Sequence, residues 1–393
     1  MQNPVGELNP PQRILLGPGP SNAHPRVLRA MSTPLLGHLD PAFIAIMDET
    51  QALLRAVFKT KARLTLPVSG TGSAGMEAAL VNLLEPGDTI VIGVNGLFGE
   101  RMVDVASRCG AKVAAILGQW GSAIDPSAFE QELKKHPKVK AVAVVHAETS
   151  TGVLQPLTDI AKLAHQHDAL LIADCVTSLA GVNVDVDGWG IDVCYSGTQK
   201  CLSCPPGLSP ITFNEAAQQA IAKRKTKVQS WYLDMTMIQN YWADSGRLYH
   251  HTAPISMVYG LREALRVVVE EGLEPRFKRH EKHARALYAG LQALGLTLVV
   301  ADGFRAPSLT TVHIPEGVND GAVRAALLNE YGIEIGGGLG PFKGMVWRLG
   351  LMGYSSTPAN TLALLSALEH LLPKQGFEVA KGAGVAAASK ALA

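Results

Sequence analysis

The stretch PVSGTGSAGMEAALVNLLEPGD, residues 67–88, sets Gly70, Gly72 and Gly75 in the order G-x-G-x-x-G. An apolar run precedes these glycines and an amphipathic helical pattern follows them, so the segment reads as a strand, a tight turn and a helix. Such a turn presents backbone N–H groups at the positive end of the helix dipole, where any anion finds donors. The spacing alone does not say which anion. A dinucleotide site calls for an acidic residue at the end of the next strand, about 20 residues on, to hold the ribose hydroxyls. The next strand-like run, TIVIGVNG, ends near Asn95, and Asp88 precedes it at the wrong end of the sheet. The dinucleotide reading lacks its acid, and a ligand-free turn stays open on this segment alone.

Composition bounds the rest. The 393 residues are 47% hydrophobic and 18% charged, enough to bury one large core and a second, smaller one. A formal net charge of +1 gives no field that would draw in nucleic acid or an anionic membrane as the main partner. The opening residues MQNPVGELNPPQR lack the continuous apolar stretch of a secretory signal, and no uncharged apolar run is long enough to span a bilayer. Five cysteines, an odd count in a long chain, read as free thiols in a reducing compartment. The expected location is the cytoplasm.

Short β-like runs alternate with helical ones. The runs at 65–68, 89–94, 112–116, 138–145, 169–173, 191–195 and 210–213 are apolar on both faces, the pattern of buried parallel strands. Helix starts such as Asp125-Pro126 fall between them. The sequence predicts a doubly wound α/β sheet. After a helical stretch at 254–272 the pattern changes to helix 276–294, strands 297–300 and 309–314, helix 320–331, a strand through Trp347 and helix 358–372. These boundaries predict an N-terminal arm and large domain over 1–272, a smaller α+β domain over 273–375, and a low-complexity tail over 376–393 that frays.

Two further segments carry chemistry. LLIADCVTSLAG, 170–181, places Asp174 just after a strand, at the carboxyl end of the sheet where α/β proteins bind ligands. DVCYSGTQKCLSCPPG, 192–207, places Lys200 in a polar turn after another strand. A carboxylate and a lysine opposite a phosphate-cradling helix N-terminus match the needs of pyridoxal phosphate. The acid keeps the pyridine nitrogen protonated so that the ring withdraws electrons, and the amine, lowered in pKa by its surroundings, forms the covalent link to the cofactor. Either residue alone is ordinary, since loop lysines are usually solvated and an Asp at a strand end usually caps a helix.

With these segments, LLGPGPSNAHPRVL, HAETSTGVLQPL, YHHTAP and GGGLGPFKGMVWRLGLMG, the chain from about Arg13 to Leu372 resembles the fold-type I, class V aminotransferases of the alanine-glyoxylate and serine-pyruvate type. The resemblance implies a homodimer with shared active sites. It also implies pyridoxal phosphate chemistry that passes an amino group from alanine or serine to glyoxylate or pyruvate. It assigns Lys200 to the covalent link, Asp174 to the pyridinium nitrogen, Val176 to one ring face and Thr149 to the side of the phenolic oxygen. Thr71, Gly72, Ser73 and Gln199 would hold the phosphate, with Tyr249 and Thr252 helping across the dimer. Arg348 would bind the substrate carboxylate, with the backbone at Gly19 forming the opposite wall. At the position where the family often has a stacking tryptophan this chain has Phe98, which stacks with less area and no indole N–H.

Arg348 also stands out on its own, as a charge inside an apolar strand whose flanking segment supplies no acid. Other signals read as structural. Cys201-x-x-Cys204 imitates a zinc or redox pair, but Cys109, Cys175 and Cys194 do not stand at metal-site spacing. His250-His251 reads as two separately bonded rings, and the run KRKTK at 223–227 as a solvated face. The alternatives are a nicotinamide oxidoreductase, another class V enzyme with a different amino donor, and a cysteine desulfurase. The last needs a mobile nucleophilic cysteine late in the chain, and no cysteine follows Cys204.

Overall fold

The computed structural model describes residues 5–243 and 245–393. Seven strands form one sheet, in the spatial order Leu64–Ser69, Leu208–Phe213, Val193–Tyr195, Leu170–Asp174, Ala141–Val145, Thr89–Val94 and Lys112–Leu117. All run parallel except Leu208–Phe213, which is antiparallel to both of its neighbours. The sequence pattern treats that strand as one more parallel member. Hydropathy does not encode direction, because a strand buried on both faces is apolar whichever way it runs. The connection does encode it: residues 196–207 contain no crossover helix, so the chain can only turn back beside Val193–Tyr195.

Because the other six strands point the same way, their carboxyl ends line up along one edge. Gly70, Asn95, His146, Asp174 and Ser196 follow or end these strands there. The outermost strand, Lys112–Leu117, is not apolar on both faces as expected. It is only partly buried, and Leu117 is 80% exposed, as an edge position permits.

A separate apolar core gathers Ala286, Leu287, Leu291, Val312, Leu327, Trp347, Leu349, Leu365 and Leu368, and it also takes in Leu16 from the start of the chain. The three-stranded sheet over it orders Leu309–His313, Val346–Gly350 and Gly336–Gly337, all antiparallel. Ile14–Leu15 pairs in parallel with Ile333–Glu334, and the Gly350 N–H donates to the Leu16 carbonyl at 2.7 Å. The chain's first ordered strand is thus fastened to its last third. The expected strand at 297–300 is reduced to a single bridge between Leu298 and Val312.

The tail also departs from expectation. Ala383–Leu392 is a helix packed along Leu273–Ala293 rather than frayed chain. Small residues permit this: a Cβ built on Gly290 would run into Leu365 Cδ1 and would lie 3.0 Å from the Gly384 carbonyl. Alanine-rich sequence looks like low complexity, yet alanine is the best helix former and the least bulky at a helix crossing. Gly290→Ala should therefore lower the denaturation midpoint by an amount equivalent to about 1–3 kcal/mol and speed tryptic cleavage after Lys381. An unchanged midpoint would show that the close helix approach is dispensable.

Candidate active site

The three glycines of the opening segment have distinct jobs. Gly70 ends the turn with φ +148°, and its N–H donates to the Gly207 carbonyl at 3.0 Å. Gly72 opens the helix Gly72–Leu83, where a Cβ would lie 3.1 Å from Val176 Cγ2. Gly75 lets that helix press against the sheet, since a Cβ there would overlap Ser209 Oγ and lie 3.2 Å from Tyr195 Cβ. The helix begins at Thr71 with no side-chain cap, which leaves its first N–H groups facing the cleft without a protein acceptor of that kind.

Asp174 is the last residue of its strand rather than the first of the loop, and it is 2% exposed. Its Oδ1 accepts the Val176 N–H at 2.9 Å and its Oδ2 accepts the Tyr195 hydroxyl at 2.9 Å. Burial outweighs both donors and raises the carboxyl to about 7. Lys200, 7% exposed, stands in the loop after Val193–Tyr195, and its Nζ donates to the Pro18 carbonyl. Burial, with the Arg348 cation second, lowers the amine to about 8. The opposite wall is main chain: a Cβ on Gly19 would lie 2.7 Å from Lys200 Nζ.

Arg348 lies in the middle of Val346–Gly350 and is 7% exposed. Its Nε donates to the Gly337 carbonyl at 2.7 Å and one terminal nitrogen to the Thr149 carbonyl at 3.1 Å. Among the described residues no carboxylate stands within ion-pair distance of it, and burial lowers it to about 10. Thr149 Oγ1 meets Thr177 Oγ1 at 2.5 Å.

The segment carrying Thr149 also controls Phe98. The helix Leu97–Arg108 has no cap of its own, and Glu148 and Ser150 supply one from a distance. Glu148 Oε2 accepts the Phe98 N–H at 3.2 Å, Ser150 Oγ accepts the Leu97 N–H at 3.0 Å, and Glu148 Oε1 accepts the Ser150 hydroxyl at 2.6 Å. A carboxylate at a helix N-terminus is favourable, although full burial still raises the Glu148 carboxyl. The Arg101 guanidinium lies 4.8 Å from the Phe98 ring centroid and donates to Ser73 Oγ at 3.2 Å, tying the ring to the glycine loop.

Gln199 is adjacent to Lys200, and its buried Oε1 has no partner. Tyr249 is 57% exposed, with its hydroxyl 3.3 Å from Thr252 Oγ1. The neighbouring His251 Nε2 reaches Ser69 Oγ at 2.8 Å, which anchors this segment at the strand before the glycine loop. Sequence reasoning missed Tyr195, Glu148, Arg101 and Pro18. Glu148 could have been found as an acid between a strand and a turn in HAETSTG; the others become visible only when strands pair and chain ends meet.

The distractors resolve plainly. Cys201 and Cys204 are both buried, with burial raising the thiols to about 11 and about 12. Among the described residues no cluster of three His, Cys, Asp or Glu could hold a metal. His250 and His251 are not separately bonded as expected: their Nδ1 atoms lie 2.8 Å apart, within hydrogen-bond distance, and Trp231 stacks on His250 at 4.6 Å. The basic run is not merely the solvated face expected: Arg224 donates to the Asn82 and Leu84 carbonyls, and Glu85 accepts the backbone N–H groups of Lys225 and Thr226, which fastens the turn.

A glycine turn with uncapped amides, a buried acid and a buried amine that do not pair with each other, and a buried arginine facing them describe a pyridoxal phosphate enzyme of fold type I. The chain belongs to the class V aminotransferases: residues 15–350 match the family described as aminotransferase class-V. It is 43% identical to the (S)-ureidoglycine–glyoxylate transaminase of Bacillus subtilis over 97% of this chain and 96% of that one. It is 43% identical to the alanine–glyoxylate aminotransferase of Callithrix jacchus over 94% of this chain and 90% of that one. The solved alanine–glyoxylate aminotransferase of Nostoc sp. superposes with a TM-score of 0.92 at 50% identity, covering 94% of this chain and 97% of that one. The protein is therefore a pyridoxal phosphate-dependent aminotransferase, and the nicotinamide and desulfurase readings are not favoured.

The residues fit that cofactor. The uncapped helix start offers backbone N–H donors suited to its phosphate, and the Asp174 carboxyl and Lys200 amine are held apart by separate partners. Because the Arg348 cation helps depress Lys200, Arg348→Leu should raise the amine's midpoint above about 8 in the apoprotein. The pH dependence of borohydride trapping of formaldehyde on Lys200 measures it. An unmoved midpoint would mean the two groups do not sense each other.

Proposed function

We propose that the protein transfers the amino group of a small neutral amino acid, alanine or serine, to glyoxylate, and that it does so as a homodimer in the cytoplasm. The observation that carries the substrate class is Arg348. Among the described residues Arg247, Arg276 and Arg348 have buried side chains; Arg247 pairs with Asp48, and Arg276 with Glu271 at 2.5 Å. That leaves one buried guanidinium for one substrate carboxylate, which suits monocarboxylic donors and acceptors and gives a distal carboxylate no partner. Relatives named for glyoxylate support the acceptor.

In this reading bound pyridoxal phosphate would supply an electron-withdrawing ring and an aldehyde able to carry the amino group between donor and acceptor. Asp174 holds the charge on the pyridine nitrogen. Val176 and Phe98 would bound the two ring faces, and Thr149 would stand by the phenolic oxygen. Thr71, Gly72, Ser73 and Gln199 bind the phosphate, joined by Tyr249 and Thr252 from the second copy, whose exposed placement favours such sharing. The Arg348 fork fixes the substrate carboxylate, with the Gly19 backbone as the opposite wall. Lys200 Nζ, neutral above about 8, takes the substrate α-proton and returns it. The arm and large unit over 1–272, the smaller unit over 273–375 and the tail beyond are proposed as the working division of the chain.

Arg348→Lys keeps the charge and loses the fork. It should raise KM for alanine and for glyoxylate together, by about tenfold or more, with the absorbance of bound cofactor unchanged. A donor panel of alanine, serine, (S)-ureidoglycine and glutamate against glyoxylate and pyruvate, read as kcat/KM, tests the substrate class. Glutamate as the best donor would refute it. Sedimentation should show a dimer at working concentration, and Tyr249→Phe with Thr252→Ala should weaken cofactor binding; a fully active monomer would overturn the shared site.

A further inference from the structure

Asp174 sits opposite Tyr195 in the register of two parallel strands, so their side chains stand side by side on one face of the sheet. Tyr195 is fully buried, and its hydroxyl donates to Asp174 Oδ2 at 2.9 Å. The other donor is the Val176 backbone N–H on Oδ1, which any residue there would supply. Tyr195 is therefore the side chain that the sequence adds to this carboxylate. We propose that Tyr195 is a positioning residue for the cofactor, whose hydroxyl keeps Asp174 ionised and oriented so that the pyridine nitrogen meets a carboxylate rather than a carboxylic acid. The inference rests on the assignment of Asp174 to that nitrogen.

The surroundings explain why such a donor is needed. Burial pushes the Asp174 carboxyl up, and the Cys175 thiol beside it and Glu148 push in the same direction. Cys175 is itself hydrogen-bonded to Cys194 and His146, so the pocket behind Asp174 holds further ionisable groups of its own. Lys200 is the cation facing the carboxylate. Against burial and the neighbouring acids, the hydrogen bonds that hold the charged form come from the Tyr195 hydroxyl and the Val176 N–H. Tyr195 does not compete for the proton: burial and the adjacent carboxylate raise its own ionisation well above the ordinary tyrosine value, so the hydroxyl remains a donor at every working pH.

Tyr195→Phe keeps the ring and removes only the hydroxyl. With one donor lost, Asp174 should take up its proton at a pH about one unit higher than in the unaltered apoprotein. If cofactor binding requires the carboxylate, the ratio of dissociation constants, variant over unaltered, should then rise as pH falls, reaching about tenfold near pH 6 and shrinking toward pH 9. The ratio is read by fluorescence titration of apoprotein with pyridoxal phosphate, and circular dichroism checks the fold. A ratio that is the same at every pH would mean that Tyr195 is only a packing residue, and the proposal would fail. A second measurement needs no substitution: in apoprotein with 13C-labelled tyrosine rings, the Tyr195 hydroxyl proton should shift as Asp174 titrates. A resonance indifferent to pH would also overturn the proposal. Asp174→Asn separates the two readings. If it leaves cofactor affinity unchanged, the assignment of Asp174 fails; if it weakens affinity while the Tyr195→Phe ratio stays flat, only this inference fails.

Discussion

The structure depends on keeping a buried acid and a buried base in one cleft without letting them neutralise each other. Asp174 and Lys200 each satisfy a hydrogen bond elsewhere, the acid with Tyr195 and Val176 and the base with Pro18. A direct ion pair would hold both groups far from neutrality. Separation leaves desolvation in charge, and it brings the carboxyl up to about 7 and the amine down to about 8. The parallel sheet supplies the spacing, because Leu170–Asp174 and Val193–Tyr195 end along the same edge. The reversed strand Leu208–Phe213 then forces the short loop that carries Lys200.

A second constraint links the two ends of the site. Residues 146–152 cap the helix that bears Phe98 and offer the Thr149 carbonyl to Arg348. The segment and its continuation also tie to the loop before Leu309–His313, where the Ala306 N–H donates to the Gly152 carbonyl and the Leu154 N–H to the Phe304 carbonyl. Phe98 and Arg348 thus lean on one piece of main chain. A change at Glu148 would be felt at both, through the helix end on one side and the electrostatics of Arg348 on the other.

The alternating sheet, the glycine turn, Asp174, Lys200 and Arg348 were legible in the sequence because each is a local pattern: an apolar run, a spacing, a charge where charge is costly. Strand direction at Leu208–Phe213 was not, since burial on both faces erases the polarity of the pattern. The tail helix was misread because Ala and Gly signal both low complexity and close packing. Tyr195 was invisible for another reason: a tyrosine in an apolar strand looks like core until register sets it beside an acid. Pro18 escaped notice because nothing in GPGP names a lysine 182 residues away as its partner.

The fastening of Ile14–Leu15 to Ile333–Glu334 has a consequence for synthesis on the ribosome. At about 5–20 residues per second, the segment that lines Lys200 waits many seconds for its pairing strand to emerge. Through that interval the large sheet can assemble, but Pro18 and Gly19 have no strand to hold them over the amine. The wall of the cleft is translated well before the strand that fastens it, so a nascent or truncated chain that lacks that strand holds the wall only through local contacts such as those of Ser21 with Gln199 and Lys200.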